Sequence, residues 1–401
     1  MSDQASWLPH AVIYNILIDR FARGGGGGWS NPDWQQPVFC GGNLEGIIEK
    51  LDYLQDLGIT AILLTPFHPT SAYHGYHITD FFGVDRRFGS LETIKELLRQ
   101  AHAHGIRVIM DFVPNHVSSQ HPYFVDAQND PDSPYRNWFT FTKWPLQYLT
   151  FLNFHELPKL NLENPQVQEH MLNAALYWAG VGFDGIRLDH IIGIPHQFLR
   201  KLHDAIKKQH PEVVLMGEAV KGKIQRRELK TLHLRRKYLI FILSRIGVNV
   251  TLLMQLQYID VLDGVFDFFF RDMVKSFLIK PAWYKPRWLL RIILQEHFWS
   301  YPKKLSLISL LDNPDHDRFS FLLRRKMDTL MEAVRLQFAQ PGPAMILYGS
   351  EAGLEQTESR KYKVYGDKKN GDLAIRRIFP WDHIDSVMLN YYKSLIRRKR
   401  Q

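Results

Sequence analysis

Four short apolar runs in this chain meet acidic residues at their ends. "IRVIMDF" carries Asp111, "FDGIRLD" ends on Asp189, "VVLMGE" ends on Glu218, and "LSLISLL" runs into "LLDNPDHDRF", which sets Asp312, Asp315 and Asp317 beside His316. Arg187 stands two residues before Asp189, so on an extended strand both side chains point to the same face. Taken singly, each acid reads as a turn or helix-cap residue, and the Asp-Asn-Pro cluster as a polar turn closing a buried strand. Together, carboxylates at four run ends around one arginine are poor for stability, because like charges brought together cost free energy unless used. The chemistry that wants two or three carboxylates with histidine and aromatics nearby is glycoside cleavage. One carboxylate attacks the anomeric carbon, and another protonates the leaving oxygen and then deprotonates water or an acceptor sugar. Sugar rings also need flat apolar platforms, for which Tyr76 in "YHGYHITDFF" and Trp138 are candidates. A divalent-metal hydrolase uses Asp and His at such positions equally well, but it needs a tighter His pattern than this chain has.

The elements that must position these residues alternate from end to end. Strand candidates are 11–18, 59–65, 106–112, 183–189, 213–218, 264–270, 305–311 and 344–349, nearly all continuously apolar, as strands buried on both faces of a parallel sheet are. Between them, "NLEGIIEKLDYLQDLG", "SLETIKELLRQAHAHG" and "NPQVQEHMLNAALYWAG" have helical spacing, each opening on an Asn or Ser cap and ending at Gly. The expected fold class is α/β, a (β/α)8 TIM barrel, with a doubly wound sheet as second choice. In a barrel the active site lies at the C-terminal strand ends, where the acids fall. The longest irregular connection, 117–160, is expected as a small inserted domain after strand three, between barrel parts 1–116 and 161–401. The run Gly24–Gly28 is a loop without the spacing or lysine of a phosphate-binding loop.

Composition narrows the classes. With 45% apolar and 13% aromatic residues over 401 positions, a large core is expected and disorder is not. The single cysteine, Cys40, excludes an internal disulfide framework, and the first residues lack a signal-peptide pattern, so a cytoplasmic location is expected. The net charge of +9 is concentrated: residues 221–245 hold nine Lys or Arg against one Glu. The apolar span 238–256 is interrupted by Arg245 and Asn249, so a buried or half-buried helix is expected rather than a membrane span. Segment 277–295, "FLIKPAWYKPRWLLRIILQ", mixes cations, tryptophans and aliphatics as an interfacial helix does. The simpler expectation for it is a solvated basic face with its apolar side on the core.

The order and spacing of "DFVPNH" (111–116), "GFDGIRLDH" (182–190), "GEAV" (217–220) and "LLDNPDHDRF" resemble the four short regions that mark the α-amylase family of retaining glycoside hydrolases and transglycosylases. "HGYHITDFFGVDRRFGS", "LPKLNLENPQVQ" and "PGPAMILYGSEAGL" extend the resemblance over most of the chain. It implies Asp189 as nucleophile, Glu218 as general acid/base, and Arg187 as the cation holding the nucleophile ionised. It further implies Asp111 as a structural aspartate, His116 as a contact to the sugar hydroxymethyl, and Tyr76 as the platform at the cleavage point. Asn115 matches a residue that helps bind calcium in many members. The five-glycine loop lacks the ligands of another calcium site, so the expectation is that no metal or other cofactor is required, with calcium at Asn115 the one candidate.

The fourth region departs from the family. Aligned without a gap, Asp315 takes the place of the third carboxylate and Pro314 that of a histidine; the rival alignment shifts the His-Asp pair to His316-Asp317. Proline has no donor, so unless His316 reaches in one sugar contact is lost, at roughly 2 to 3 kcal/mol or about two orders of magnitude in rate. Ile192 and Gly193 stand where many α-amylases have Lys-His, which favours small oligosaccharides or transglycosylation over long starch chains. No C-terminal β-sandwich is evident. The resemblance thus implies an α-amylase-type glycoside hydrolase or 4-α-glucanotransferase acting on α-glucan or malto-oligosaccharide. The second reading is a weak or silent member that serves as a carbohydrate-binding or membrane-surface scaffold. Nucleic acid is not expected as a partner, since the basic run lacks a recognised motif.

Overall fold

The computed structural model describes residues 7–219, 229–245, 250–359 and 372–400. Val220 of the third region, residues 221–228 of the basic run and 246–249 of the apolar span lie outside the described residues. The strands are β1 (Val12–Ile16), β2 (Ala61–Leu64), β3 (Arg107–Phe112), the short β4 (Phe141–Lys143) and β5 (Gln147–Tyr148), β6 (Gly185–Leu188), β7 (Val214–Gly217), β8 (Gly264–Asp267), β9 (Ser306–Leu310) and β10 (Ala344–Leu347). All except β4 and β5 close into a parallel barrel in the order β1, β10, β9, β8, β7, β6, β3, β2. Each of the eight expected runs supplies one barrel strand. Their continuous apolar character is the reason, because every residue of β1, β2, β6, β7, β8 and β10 is buried.

Local capping decides where the elements stop. The run 264–270 does not stay extended to its end. The Asp267 side chain accepts from the Phe270 amide at 2.9 Å, and the helix Phe268–Leu278 begins there. The pattern 43–58 forms two helices, Leu44–Ile48 and Leu51–Leu57, rather than one. Asn43 caps the first, and Gly58, at φ 95°, closes the second in a conformation that favours glycine. Ser90 and Thr93 form a reciprocal capping box at the start of the helix Leu91–Ala103. The helix Pro165–Val181 is capped by Asn164 and runs past Gly180 to end at Gly182.

The chain divides into two units. One holds residues 66–86 and the described parts of 109–265. Phe67 and Phe183 stack in its core with ring centroids 5.5 Å apart, and Trp178 stands edge-on to Phe67 and donates its indole N–H to the Phe81 carbonyl at 2.7 Å. Between β3 and the helix Pro165–Val181 this unit carries the helix Pro122–Asn129 and the antiparallel β4–β5 pair. The other unit comprises the described parts of 7–65, 87–108 and 266–400. Phe21 packs there edge-on against Phe379 and Trp381, and the Trp381 indole donates to the Phe21 carbonyl at 2.6 Å. Among the described residues no helix is long and apolar enough to cross a membrane.

Candidate active site

Strand register assembles the acidic cluster of the first unit. Asp111 on β3 pairs directly with Arg187 on β6, so their side chains leave the sheet side by side. The ladder continues past the strand ends: the Asp189 amide donates to Phe112 O at 2.9 Å and the Glu218 amide to Leu188 O at 3.1 Å. The two acids following β6 and β7 are therefore fixed by backbone bonds and not carried on loose loops. Arg187 gathers them. Its Nη1 donates to both oxygens of Asp111 at 2.7 and 2.8 Å and to Asp189 Oδ1 at 2.8 Å, while Nη2 donates to Glu218 Oε2 at 2.7 Å. The Tyr76 hydroxyl donates to Asp111 Oδ2 at 2.6 Å.

One guanidinium faces three carboxylates in a buried site. Burial disfavours its charge, and Asp111, Glu218, Tyr76 and Asp189 outweigh that effect, so the Arg187 pKa lies above its ordinary value. A single positive charge cannot balance three negative ones. Asp111 yields: burial raises its pKa to about 7, helped by the Asp189 charge and opposed by Arg187 and Tyr76.

His116 is buried and its ring stacks on Phe151 at 4.5 Å. Burial, with His77 and Lys159 nearby, lowers its pKa to about 3, so the ring is neutral, and its Nε2 has no hydrogen-bond partner. Asn115 points elsewhere. Its Oδ1 accepts from Lys159 Nζ at 2.7 Å, and the same ammonium donates to the Gly193 carbonyl. The oxygen that calcium would use is thus held by an amine of the chain itself, whose pKa burial lowers to about 7. No group of three or more His, Cys, Asp or Glu able to hold a metal occurs among the described residues. These donors do not fit calcium. Gly193 is also sterically fixed, since an added Cβ would lie 2.5 Å from Asn115 Oδ1. Trp138, a platform candidate, is enclosed by Tyr123, Tyr135 and His170, all with ring centroids 5.1 to 5.2 Å away, and offers no open face.

The fourth region lies in the second unit and divides its carboxylates by task. Asp312 Oδ1 accepts from the Phe319 amide at 2.6 Å and Oδ2 from Ser350 Oγ at 2.8 Å, which ties down the turn. Asp317 accepts from Gln356 Nε2 at 2.5 Å and Ser359 Oγ at 3.2 Å. His316 Nδ1 pairs with Asn313 Oδ1 at 2.8 Å. The Asp315 side chain remains 41% exposed, and its Oδ1 accepts from Arg376 Nη2 at 2.7 Å. Arg376 Nε donates at the same time to the Pro314 carbonyl at 3.0 Å, so one arginine spans the proline and the carboxylate beside it. Lys159 and Arg376 are the polar residues that sequence reasoning did not single out. Lys159 lies within the stretch "LPKLNLENPQVQ" and Arg376 lies in none of the quoted stretches.

Three comparisons bear on this arrangement. The model of the alpha amylase catalytic domain matches residues 15–146 and 142–388. "Alpha-amylase 2" of Dictyoglomus thermophilum is 31% identical over 401 residues, covering 98% of this chain and 64% of its own length. A cyclomaltodextrinase of a Bacillus species is 29% identical, covering 98% of this chain and 66% of its own. The chain therefore spans about two thirds of the length of these curated relatives. Among solved structures, the ligand-free cyclic α-maltosyl-(1→6)-maltose hydrolase from Arthrobacter globiformis superposes with a TM-score of 0.81 at 27% identity, over 99% of this chain and 84% of that one. A barrel with this acidic cluster, matched by the catalytic-domain model along most of its length, places the chain in the alpha-amylase family.

Proposed function

We propose that the chain is a retaining α-glucan-active glycosidase, cleaving or transferring α-glucosidic linkages of malto-oligosaccharides. The observation that carries this reading is the Arg187 guanidinium bonded to both Asp189 and Glu218. In the proposed reaction Asp189, kept anionic by Arg187, attacks the anomeric carbon as the glycosidic C–O bond breaks, and Glu218 gives its proton to the leaving oxygen. Glu218 then takes a proton from water or an acceptor sugar, whose oxygen displaces Asp189. Both substitutions invert the centre, so configuration is retained. Tyr76 serves as platform, His116 takes the contact to the hydroxymethyl group, and Asp315 takes the third-carboxylate role. His316 and Asp317 are left to hold the turn.

The relatives named cyclomaltodextrinase extend the proposed substrates to cyclic maltodextrins. The test is to incubate the protein and an Asp189→Asn control with maltoheptaose and with β-cyclomaltodextrin, and to separate the products over time. Shorter sugars from wild type alone are expected. Longer sugars beside them would assign transfer. An inert wild type, or an Asp189→Asn variant as active as wild type, would overturn the reading.

A further inference from the structure

The helix Arg287–Trp299 has two apolar stripes where a surface helix needs one. Leu290, Leu294 and His297 are buried and anchor it to its unit. On the solvent side, Trp288, Ile292 and Trp299 are 63, 48 and 65% exposed, spaced four and seven residues apart on one face. The turn before the helix adds Trp283 at 85% and Tyr284 at 62%. The simpler expectation, a solvated basic face with its apolar side on the core, accounts for the buried stripe and not for three exposed tryptophans. Lys280 and Arg291 are exposed among them and Lys285 is half-buried; Arg287 is paired with Glu332, and Glu296 is the one acid of the segment 279–299.

We propose that this face is a docking surface for an anionic lipid bilayer. Charge complementarity selects that partner. A neutral glucan would use the rings and leave the exposed Lys280 and Arg291 without a role, and a second copy of this basic chain would bring like charge to like. Tryptophan and tyrosine among cations match the interfacial zone of a bilayer, where rings sit at headgroup level and cations meet lipid phosphate. The first unit carries an element of the same character. The helix Lys237–Arg245 exposes Tyr238, Leu239 and Ile242, and Arg235, Arg236 and Arg245 around them are exposed. The inference is independent of the glycosidase reading.

The experiment is co-sedimentation of the full chain with vesicles of phosphatidylcholine and phosphatidylglycerol, and with phosphatidylcholine alone. The expected result is binding to the anionic vesicles that weakens as salt is raised. Lys280→Gln/Arg291→Gln should lower the partition by roughly fivefold per cation removed, and Trp283→Ser/Trp288→Ser by at least about tenfold. These side chains face solvent, so circular dichroism and melting should be unchanged. No binding to anionic vesicles, equal binding to both compositions, or wild-type binding by the variants would each overturn the proposal. So would loss of a dimer in sedimentation velocity on tryptophan substitution, or displacement from vesicles by soluble glucan, which would assign the face to a second copy or to sugar.

Discussion

Arg187 Nη1 stands 2.8 Å from Asp189 Oδ1, and the other terminal nitrogen of the same guanidinium stands 2.7 Å from Glu218 Oε2. A planar fork suits this double task and a lysine ammonium, a point charge, does not. Arg187→Lys should therefore lower kcat/KM for maltoheptaose by about 10² to 10³. The loss should appear in kcat, because the arginine acts on the reacting groups. It should also cost stability, of order 3 kcal/mol, since buried carboxylates lose a partner. Steady-state kinetics and thermal melting check both parts.

Asp111 binds its proton more tightly in the folded chain, with a pKa of about 7, than an unfolded aspartate near 3.8 does. Stability from this group is thus fully present below about pH 4 and is lost as the pH rises to about 7. Asp111→Asn cannot ionise, so its melting temperature should fall less steeply than that of wild type across the same window. Melting curves of both proteins at matched pH supply the comparison, and parallel slopes would contradict the assignment.

Lys159 Nζ donates to Asn115 Oδ1, the oxygen a calcium ion would need. Chelation by EDTA should leave melting and activity unchanged. Lys159→Met should destabilise the fold by about 1 to 3 kcal/mol, because Asn115 Oδ1 and the Gly193 carbonyl lose a buried donor. Calcium should not restore the loss.

Arg376 links the Pro314 carbonyl to the Asp315 carboxylate. If Asp315 grips the sugar as proposed, Arg376→Gln should lower kcat by about 10- to 100-fold through misplacement of that carboxylate. Arg376→Lys should recover only part of it, since one ammonium cannot hold both oxygens. Equal kcat values for wild type and Arg376→Gln would contradict a positioning role.

The barrel was legible because its strands are buried on both faces and so read as unbroken apolar runs. The cluster was legible because Asp111, Asp189 and Glu218 each stand at a strand end and Arg187 keeps strand parity with Asp189. What escaped was set by tertiary contact. Lys159 reaches Asn115 across 44 residues and Arg376 reaches Asp315 across 61, and neither the stretch around Lys159 nor the segment around Arg376 shows which oxygen its cationic end will meet. The end of β8 escaped for a local reason: "DFFF" favours a strand by composition, and only the Asp267 cap turns it into a helix. Trp138 reads as an open platform in the sequence, which shows an aromatic residue and not the three rings that enclose it.

The most direct test of the central claim is the anomeric configuration of the first product, followed by proton NMR immediately after adding the protein to maltoheptaose. A double displacement through Asp189 predicts that the α-anomer appears first and mutarotates afterwards to the equilibrium mixture. Initial release of the β-anomer would mean direct attack by water and would contradict the account.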